Sequence, residues 1–276
     1  MSDTQSAARR AAESWDLSAP VLLRTGMNSI YVAGDVVLRV STGEPLIELA
    51  RMLTAAGVRV PRPVRDEPIV DDGVVVSAWE RVVAVDTEVE WSEVGGMVAL
   101  VHGLAPSSVP ATLARCERFP WWQFDGLLDD VAELVDGAAM AGLRETVERH
   151  RGWDHWVDGV VCHGDVHPHN VVMTAEGPYL LDWDTMCLGP PGWDHAMLLR
   201  LPRWGWPARW YDDFANGYGR SLADDQVANA LADLRLVAAT LIRLRAARDD
   251  PAAMPQAQLR LAYWRGDPDA RAWTPV

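Results

Sequence analysis

From residue 21 the chain alternates short β-branched runs with tight polar turns. Runs at 21–24, 29–32 and 36–40 are separated by Gly26-Met27-Asn28 and Ala33-Gly34-Asp35, which predicts a three-stranded antiparallel meander. Leu46, Ile47, Leu49, Ala50 and Leu53 then recur at helical spacing within 44–56, and the pattern stops at Gly57. Pro61 and Pro63 mark a loop. Runs at 68–70 and 74–79 flank Asp71-Asp72-Gly73 and predict a hairpin. Ahead of all this, residues 2–14 are rich in Ala, Arg and Glu and read as a short surface helix. Strands, one helix and more strands thus make a small α+β lobe, 1–81.

The pattern over 82–276 is mostly helical. Residues 91–104 and 124–135 are amphipathic, the second with Asp125, Asp129, Asp130 and Glu133 on its polar side, and 227–248 and 254–264 read as long helices. Residues 105–120 form a Pro/Ser-containing connection. Apolar strands at 159–162 and 178–181 bracket a polar segment, with a run at 171–173 and the turn Ala175-Glu176-Gly177 between them. The polar segment therefore lies on loops at strand ends, where a rigid frame holds functional side chains.

Composition narrows the function classes. A length of 276 residues with 49% hydrophobic content is enough to bury a sizeable core. The net charge of −14 argues against a nucleic-acid partner, whose affinity comes from basic phosphate contacts. It suits a cationic ligand, or serves only solubility; charge alone leaves both open. No run approaches the roughly 20 apolar residues that span a bilayer, and no apolar core follows the polar first ten residues, so no membrane partner and a cytoplasmic location are expected. Cys116, Cys162 and Cys187 show no CxxC spacing and read as buried thiols. All 25 basic residues are Arg. The absence of Lys excludes a Walker A loop and Schiff-base lysine chemistry, so any phosphate-binding cation must be Arg.

The chemistry concentrates in His163-Gly164-Asp165-Val166-His167-Pro168-His169-Asn170 and Leu181-Asp182-Trp183-Asp184. A hydroxyl that attacks a phosphate needs a base beside it, and a nucleotide-bound Mg²⁺ needs hard oxygen ligands. Asp165, Asn170 and Asp182 supply such groups. A hairpin between Asn170 and Asp182 would let those two converge on one cation, with Asp165 nearer the acceptor hydroxyl. The rival reading takes His163, Asp165, His167 and His169 as a mononuclear metal site for hydrolysis or oxygenation. It leaves Asn170 and the second motif without a role.

These two motifs resemble those of the aminoglycoside phosphotransferase and choline kinase-like enzymes, a branch of the protein kinase-like fold. HGDVHPHN is similar to the family's HGDxxxxN catalytic loop and LDWD to its metal-binding motif. The resemblance implies a bilobal α+β protein with Asp165 as catalytic base and Asn170 and Asp182 as Mg²⁺ ligands. Asp184 would be a further ligand or a loop cap, His163 would shape the loop, and Asp194 would anchor it. His102 would be a buried histidine bonded to the catalytic-loop backbone. In the first lobe, Asn28 and Ser29 resemble the nucleotide-covering loop. Arg39 falls where the family carries its phosphate-contacting cation, with Glu48 as its pairing carboxylate, and Trp79 to Arg81 fall at the purine-holding hinge. The implied cofactors are ATP or GTP with Mg²⁺. The implied acceptor is a small molecule, with an aminoglycoside-type cation suggested by the acidic residues, including Asp212 and Asp213; that activity would confer antibiotic resistance. Choline, homoserine, sugars and macrolides are the alternatives, and a kinase-like binding protein without turnover is the non-enzymatic one. Trp121, Trp122, Trp204, Trp206 and Trp210 fall in segments the family uses for its acceptor pocket, against which stands a plain core role.

Overall fold

The computed structural model describes residues 3–26, 28–109, 113–155 and 159–274. Among these, the strand-rich region forms an antiparallel sheet of order β1-β2-β3-β5-β4. Its strands are β1 (Val21–Thr25), β2 (Ser29–Ala33), β3 (Val36–Ser41), β4 (Ile69–Asp71) and β5 (Val74–Glu80). Pairing is regular from β2 through β3 to β5, with Tyr31 opposite Leu38 and Leu38 opposite Ala78, while the β1–β2 pairing shifts register between Leu22 and Arg24. Met27, in the first predicted turn, lies outside the described residues, as does Ser2 at the start of the predicted helix.

Helix α1 (Asp3–Ser14) is not the free surface helix that its polar composition suggests. Ala7, Ala8, Ala11 and Ala12 form a buried stripe against Tyr31, Leu38, Val40, Val76 and Ala78 of the sheet. Alanine is only weakly apolar yet allows close approach, so the stripe is easy to miss in a sequence of mixed polarity. Helix α2 (Ile47–Ala55) buries Ile47, Leu49, Ala50 and Leu53 as the spacing predicts.

The second region holds α3 (Trp91–His102), α4 (Phe124–Asp130) and α5 (Gly137–Arg149). After these come β6 (Val160–Cys162), the hairpin β7 (Val171–Thr174) with β8 (Gly177–Leu180), and β9 (Cys187–Gly189). Helices α6 (Gly192–His195), α7 (Arg209–Tyr218), α8 (Gln226–Asp249) and α9 (Met254–Trp264) follow. Helix α4 is shorter than predicted: it stops at Asp130, and Ala132–Leu134 is a separate 3₁₀ turn. Asp136 then caps α5, accepting hydrogen bonds from the N–H groups of Ala138 and Ala139. One apparent amphipathic stretch is therefore a short helix and a 3₁₀ turn, with α5 starting afresh behind them.

Two compact units emerge, and neither is contiguous in sequence. The first comprises Met1–Glu90, Val109–Ala111 and His169–Asp182; the second comprises Trp91–Ser108, Thr112–Pro168 and Trp183–Val276. The β7–β8 hairpin belongs to the first because Arg59 grips it: Leu180 N–H donates to Arg59 O at 2.9 Å, and Arg59 Nε donates to Pro178 O at 2.9 Å. The second unit is organised around α8, whose Leu231, Leu234, Leu241 and Leu244 are fully buried. Helices α3 and α7 touch backbone to backbone. A Cβ on Gly95 would stand 2.0 Å from Phe214 O, and one on Gly217 would stand 1.7 Å from Ser92 O. Among the described residues no helix is long and apolar enough to cross a membrane.

Candidate active site

In the second unit β6 pairs with β9, placing Cys162 opposite Cys187, and the chain leaves the end of β6 directly into the His163–Asp165 loop. All three cysteines are buried and free, and burial pushes the Cys116 and Cys162 thiols up. Gly164 adopts φ +95°, and a Cβ there would meet Thr185 O at 1.9 Å, so the loop can pass this point only as glycine.

The loop is tied down by Asp194 of α6, which is 1% exposed. One carboxylate oxygen accepts the His163 N–H and the other accepts the Gly164 N–H, each at 2.8 Å. His102 Nε2 lies 3.0 Å from Asp194 Oδ2, and His102 Nδ1 lies 2.9 Å from the Tyr218 hydroxyl. The expected buried histidine is thus held by the anchor carboxylate rather than by the loop backbone in these bonds. Burial opposes ionisation of Asp194, but His102 and the backbone donors outweigh it and hold the carboxyl below its usual range. His163 is fully buried, packs against Trp183 with the rings tilted and their centroids 4.3 Å apart, and accepts the Asp165 N–H at Nδ1.

Asp165 itself is partly open, its side chain 33% exposed. Its Oδ1 accepts from Arg235 of α8, and its Oδ2 lies 3.2 Å from His167 Nε2. Burial works against its charge, but the Arg235 guanidinium and then His167 hold the carboxyl far below the usual carboxylate range. Among the described residues the four groups of the rival metal reading do not gather as a ligand set. The grouping that does is His102, Cys162 and Asp194, and the first and last of these already bond each other.

The first unit carries Asn170 and Asp182. Leu181 N–H donates to Asn170 O at 2.8 Å, extending the β7–β8 ladder so that Asn170 and Asp182 flank the open end of the hairpin, opposite its turn. Asn170 is 5% exposed. Asp182 has φ +63°, an uncommon conformation for a non-glycine residue and one that Asp tolerates better than most. Arg24 Nη2 approaches its Oδ2 at 3.5 Å. A carboxamide and a carboxylate oxygen at one hairpin end suit a hard cation such as Mg²⁺. Asp184, in the 3₁₀ turn after this hairpin, belongs to the second unit.

Elsewhere in the first unit, Arg39 on β3 donates to Ser41 Oγ at 3.2 Å. Its predicted partner is otherwise engaged: Glu48 pairs with Arg51 at 2.5 Å. These two lie three residues apart on α2 and meet without any tertiary contact, which is why the local pair forms instead. Ser29 is buried at the start of β2, and Gly26 N–H donates to Asn28 O at 3.0 Å. Trp79 Nε1 donates to Ser77 Oγ, and Arg81 reaches Gly34 O through its side chain and Asp35 O through its N–H.

Sequence reasoning missed Arg235 and Tyr218. The signal for Arg235 was a lone cation in the apolar centre of α8, since a cation among buried residues calls for a partner. Of the acidic residues read as acceptor-binding, Asp125 pairs with Arg151, Asp129 with Arg144, and Asp130 with Arg245 and Arg248. Trp122 packs on Trp153 and Trp193, and Trp204 on Trp273, so the core role holds for both. Trp121, Trp206 and Trp210 are only half-buried.

The sequence model of the phosphotransferase enzyme family matches residues 32–231. No curated protein matches the sequence significantly. Among solved structures, an amicoumacin kinase in complex with AMP-PNP, Ca²⁺ and its ligand is similar at TM-score 0.72 and 14% identity, covering 99% of this chain and 96% of that one. A spectinomycin phosphotransferase with ADP and spectinomycin gives TM-score 0.66 and 15% identity over 92% and 90%. A choline/ethanolamine kinase family protein from Mesorhizobium loti gives 0.62 and 20% over 90% and 87%.

Proposed function

Because the chain belongs to the phosphotransferase enzyme family and shares its kinase-like α+β fold, we propose that it moves the terminal phosphoryl group of ATP or GTP to a hydroxyl of a small molecule. The observation that carries this reading is the placing of Asn170 and Asp182 on the two arms at the open end of the β7–β8 hairpin, on the chain that runs on from Asp165. Asp165 orients the acceptor hydroxyl and takes its proton. Asn170 and Asp182 would hold Mg²⁺, with Asp184 as a further ligand or cap, and the ion would neutralise charge on the phosphates. Arg39 is the phosphate-contacting cation, Asn28 and Ser29 belong to the covering loop, and backbone groups from Trp79 to Arg81 hold the purine. By sequence, residues 1–81 are the nucleotide lobe and 82–276 the catalytic and acceptor lobe, while the compact unit that holds 1–81 also takes in His169–Asp182. The need for a nucleotide and the free thiols support a cytoplasmic setting.

For the acceptor, the net charge of −14 and the exposed Asp212 and Asp213 support a cationic, aminoglycoside-type compound, whose phosphorylation would confer resistance. A second reading, an uncharged or zwitterionic hydroxyl compound, is favoured by the arginine pairing of Asp125, Asp129 and Asp130. The test is turnover of Mg·ATP and Mg·GTP with a panel of aminoglycosides, choline, homoserine, sugars and macrolides, each product detected by its mass shift. Asp165→Ala and Asp182→Ala are expected to lose roughly 10²-fold or more of the rate. Turnover that persists in both variants contradicts the site assignment.

A further inference from the structure

Helix α8 carries two charged residues in its otherwise buried middle, Asp233 and Arg235. Asp233 is satisfied away from the loop, by Arg200 at 2.7 Å and His150 at 3.1 Å. Arg235 is committed to the loop itself. Its Nη1 and Nη2 donate to Gly164 O at 3.2 and 3.0 Å, Nη2 also donates to Asp165 Oδ1, and the guanidinium lies 6.0 Å over the Trp193 ring. Its side chain is 15% exposed, so these bonds form largely out of water.

The Gly164 residue is therefore held at both ends by side chains from two different helices. Its N–H goes to Asp194 of α6 and its C=O to Arg235 of α8. Those two helices are themselves in backbone contact, since a Cβ on Gly192 would stand 2.7 Å from the Ala228 Cα.

We propose that Arg235 is a positioning residue for phosphoryl transfer: its fork holds Gly164 O and Asp165 Oδ1 together, leaving Asp165 Oδ2 to receive the acceptor hydroxyl. This rests on the phosphotransferase reading above. A planar guanidinium can bridge a carbonyl and a carboxylate in fixed geometry; an ammonium on a flexible stem cannot. His167, on Oδ2, shares that oxygen with the incoming hydroxyl, which a carboxylate oxygen with two lone pairs permits.

The experiment uses Mg·ATP or Mg·GTP with water as the phosphoryl acceptor, so no acceptor need be known, and compares wild type with Arg235→Ala, Arg235→Gln, Arg235→Lys and Asp165→Ala. Loss of the positioning contact is expected to lower kcat about 10²-fold in Arg235→Ala, with nucleotide KM and directly measured nucleotide affinity nearly unchanged. Guanidinium ion at sub-denaturing concentration should restore about tenfold of that rate in Arg235→Ala and nothing in Asp165→Ala, because only the former lacks a guanidinium and keeps the carboxylate. Arg235→Gln, which keeps one donor for Gly164 O, guards against misfolding and should show the same kcat loss, and Arg235→Lys should be rescued poorly. The proposal is overturned if Arg235→Ala and Arg235→Gln turn over within about twofold of wild type, or if both lose nucleotide affinity together with rate and guanidinium restores neither. A wild type that turns over neither nucleotide, with water or with any acceptor of the panel above, overturns the phosphotransferase reading, and this proposal with it. Asp165→Ala inactive beside a fully active Arg235→Ala overturns this proposal alone.

Discussion

At the scale of single residues, the buried charges do the organising. Asp194 answers two backbone donors and a histidine, and replacing it by Ala leaves three donors facing an apolar interior. That change is expected to cost roughly 3 kcal/mol or more in urea unfolding. Because its folded-state carboxyl is held below the ordinary 3.8, its contribution is complete above that value and is lost as pH falls through the lowered one. His195, next along the chain, behaves as a second acid-sensitive point. It is fully buried beside Phe214 and Tyr218, and burial, aided by nearby His102, lowers it from 6.5 to about 4. The unfolded state takes up a proton near pH 6.5 that the folded state refuses until about 4, so stability is full above 6.5 and declines between those values. Unfolding midpoints measured from pH 4 to 7 should show a loss of up to roughly 3 kcal/mol at the acid end, and His195→Gln should flatten that slope.

At the scale of elements, the α3–α7 contact fixes where His102 stands, because His102 ends α3 and its Tyr218 partner ends α7. Gly95 and Gly96 are adjacent in the same helix yet face different constraints. A Cβ at Gly95 runs into Phe214 O, whereas one at Gly96 finds its nearest atom, Gly217 O, at an ordinary 3.7 Å. Gly95→Ala should force the helices apart and cost more than about 2 kcal/mol by thermal or urea unfolding. Gly96→Ala should be neutral or stabilising by up to roughly 1 kcal/mol, since it adds helix propensity without a clash. Equal effects at the two sites would contradict the backbone-to-backbone contact.

At the scale of the whole molecule, the excess of acid is less available than the net charge suggests. The carboxylates of α4 face arginines on α5 and α8, and exposed pairs of this kind contribute only about 0.2–1 kcal/mol each to stability. Their effect is to cancel local field. Asp129→Asn should therefore leave the KM of any cationic acceptor within about twofold, whereas the pair Asp212→Asn, Asp213→Asn should raise it if such an acceptor is used. Steady-state kinetics at low and high NaCl check this, because steering by exposed surface charge fades with ionic strength.

The sequence by itself determined the three-stranded meander, α2 and the two hairpins at 68–79 and 171–180, because period-2 and period-3.6 patterns and turn residues act over neighbouring positions. It also marked Asp165 by the chemistry its residue type can do, and Asp194 through the family resemblance. Local patterning gave no sign that α1 would bury an alanine stripe, that the 124–135 stretch breaks at Asp130, or that Glu48 would turn to Arg51. Nor could it bring the α8 guanidinium onto the Asp165 loop, seventy residues earlier. Those outcomes were decided by tertiary structure, because backbone close approach and the pairing of buried charge depend on which helices meet, and no local period encodes that.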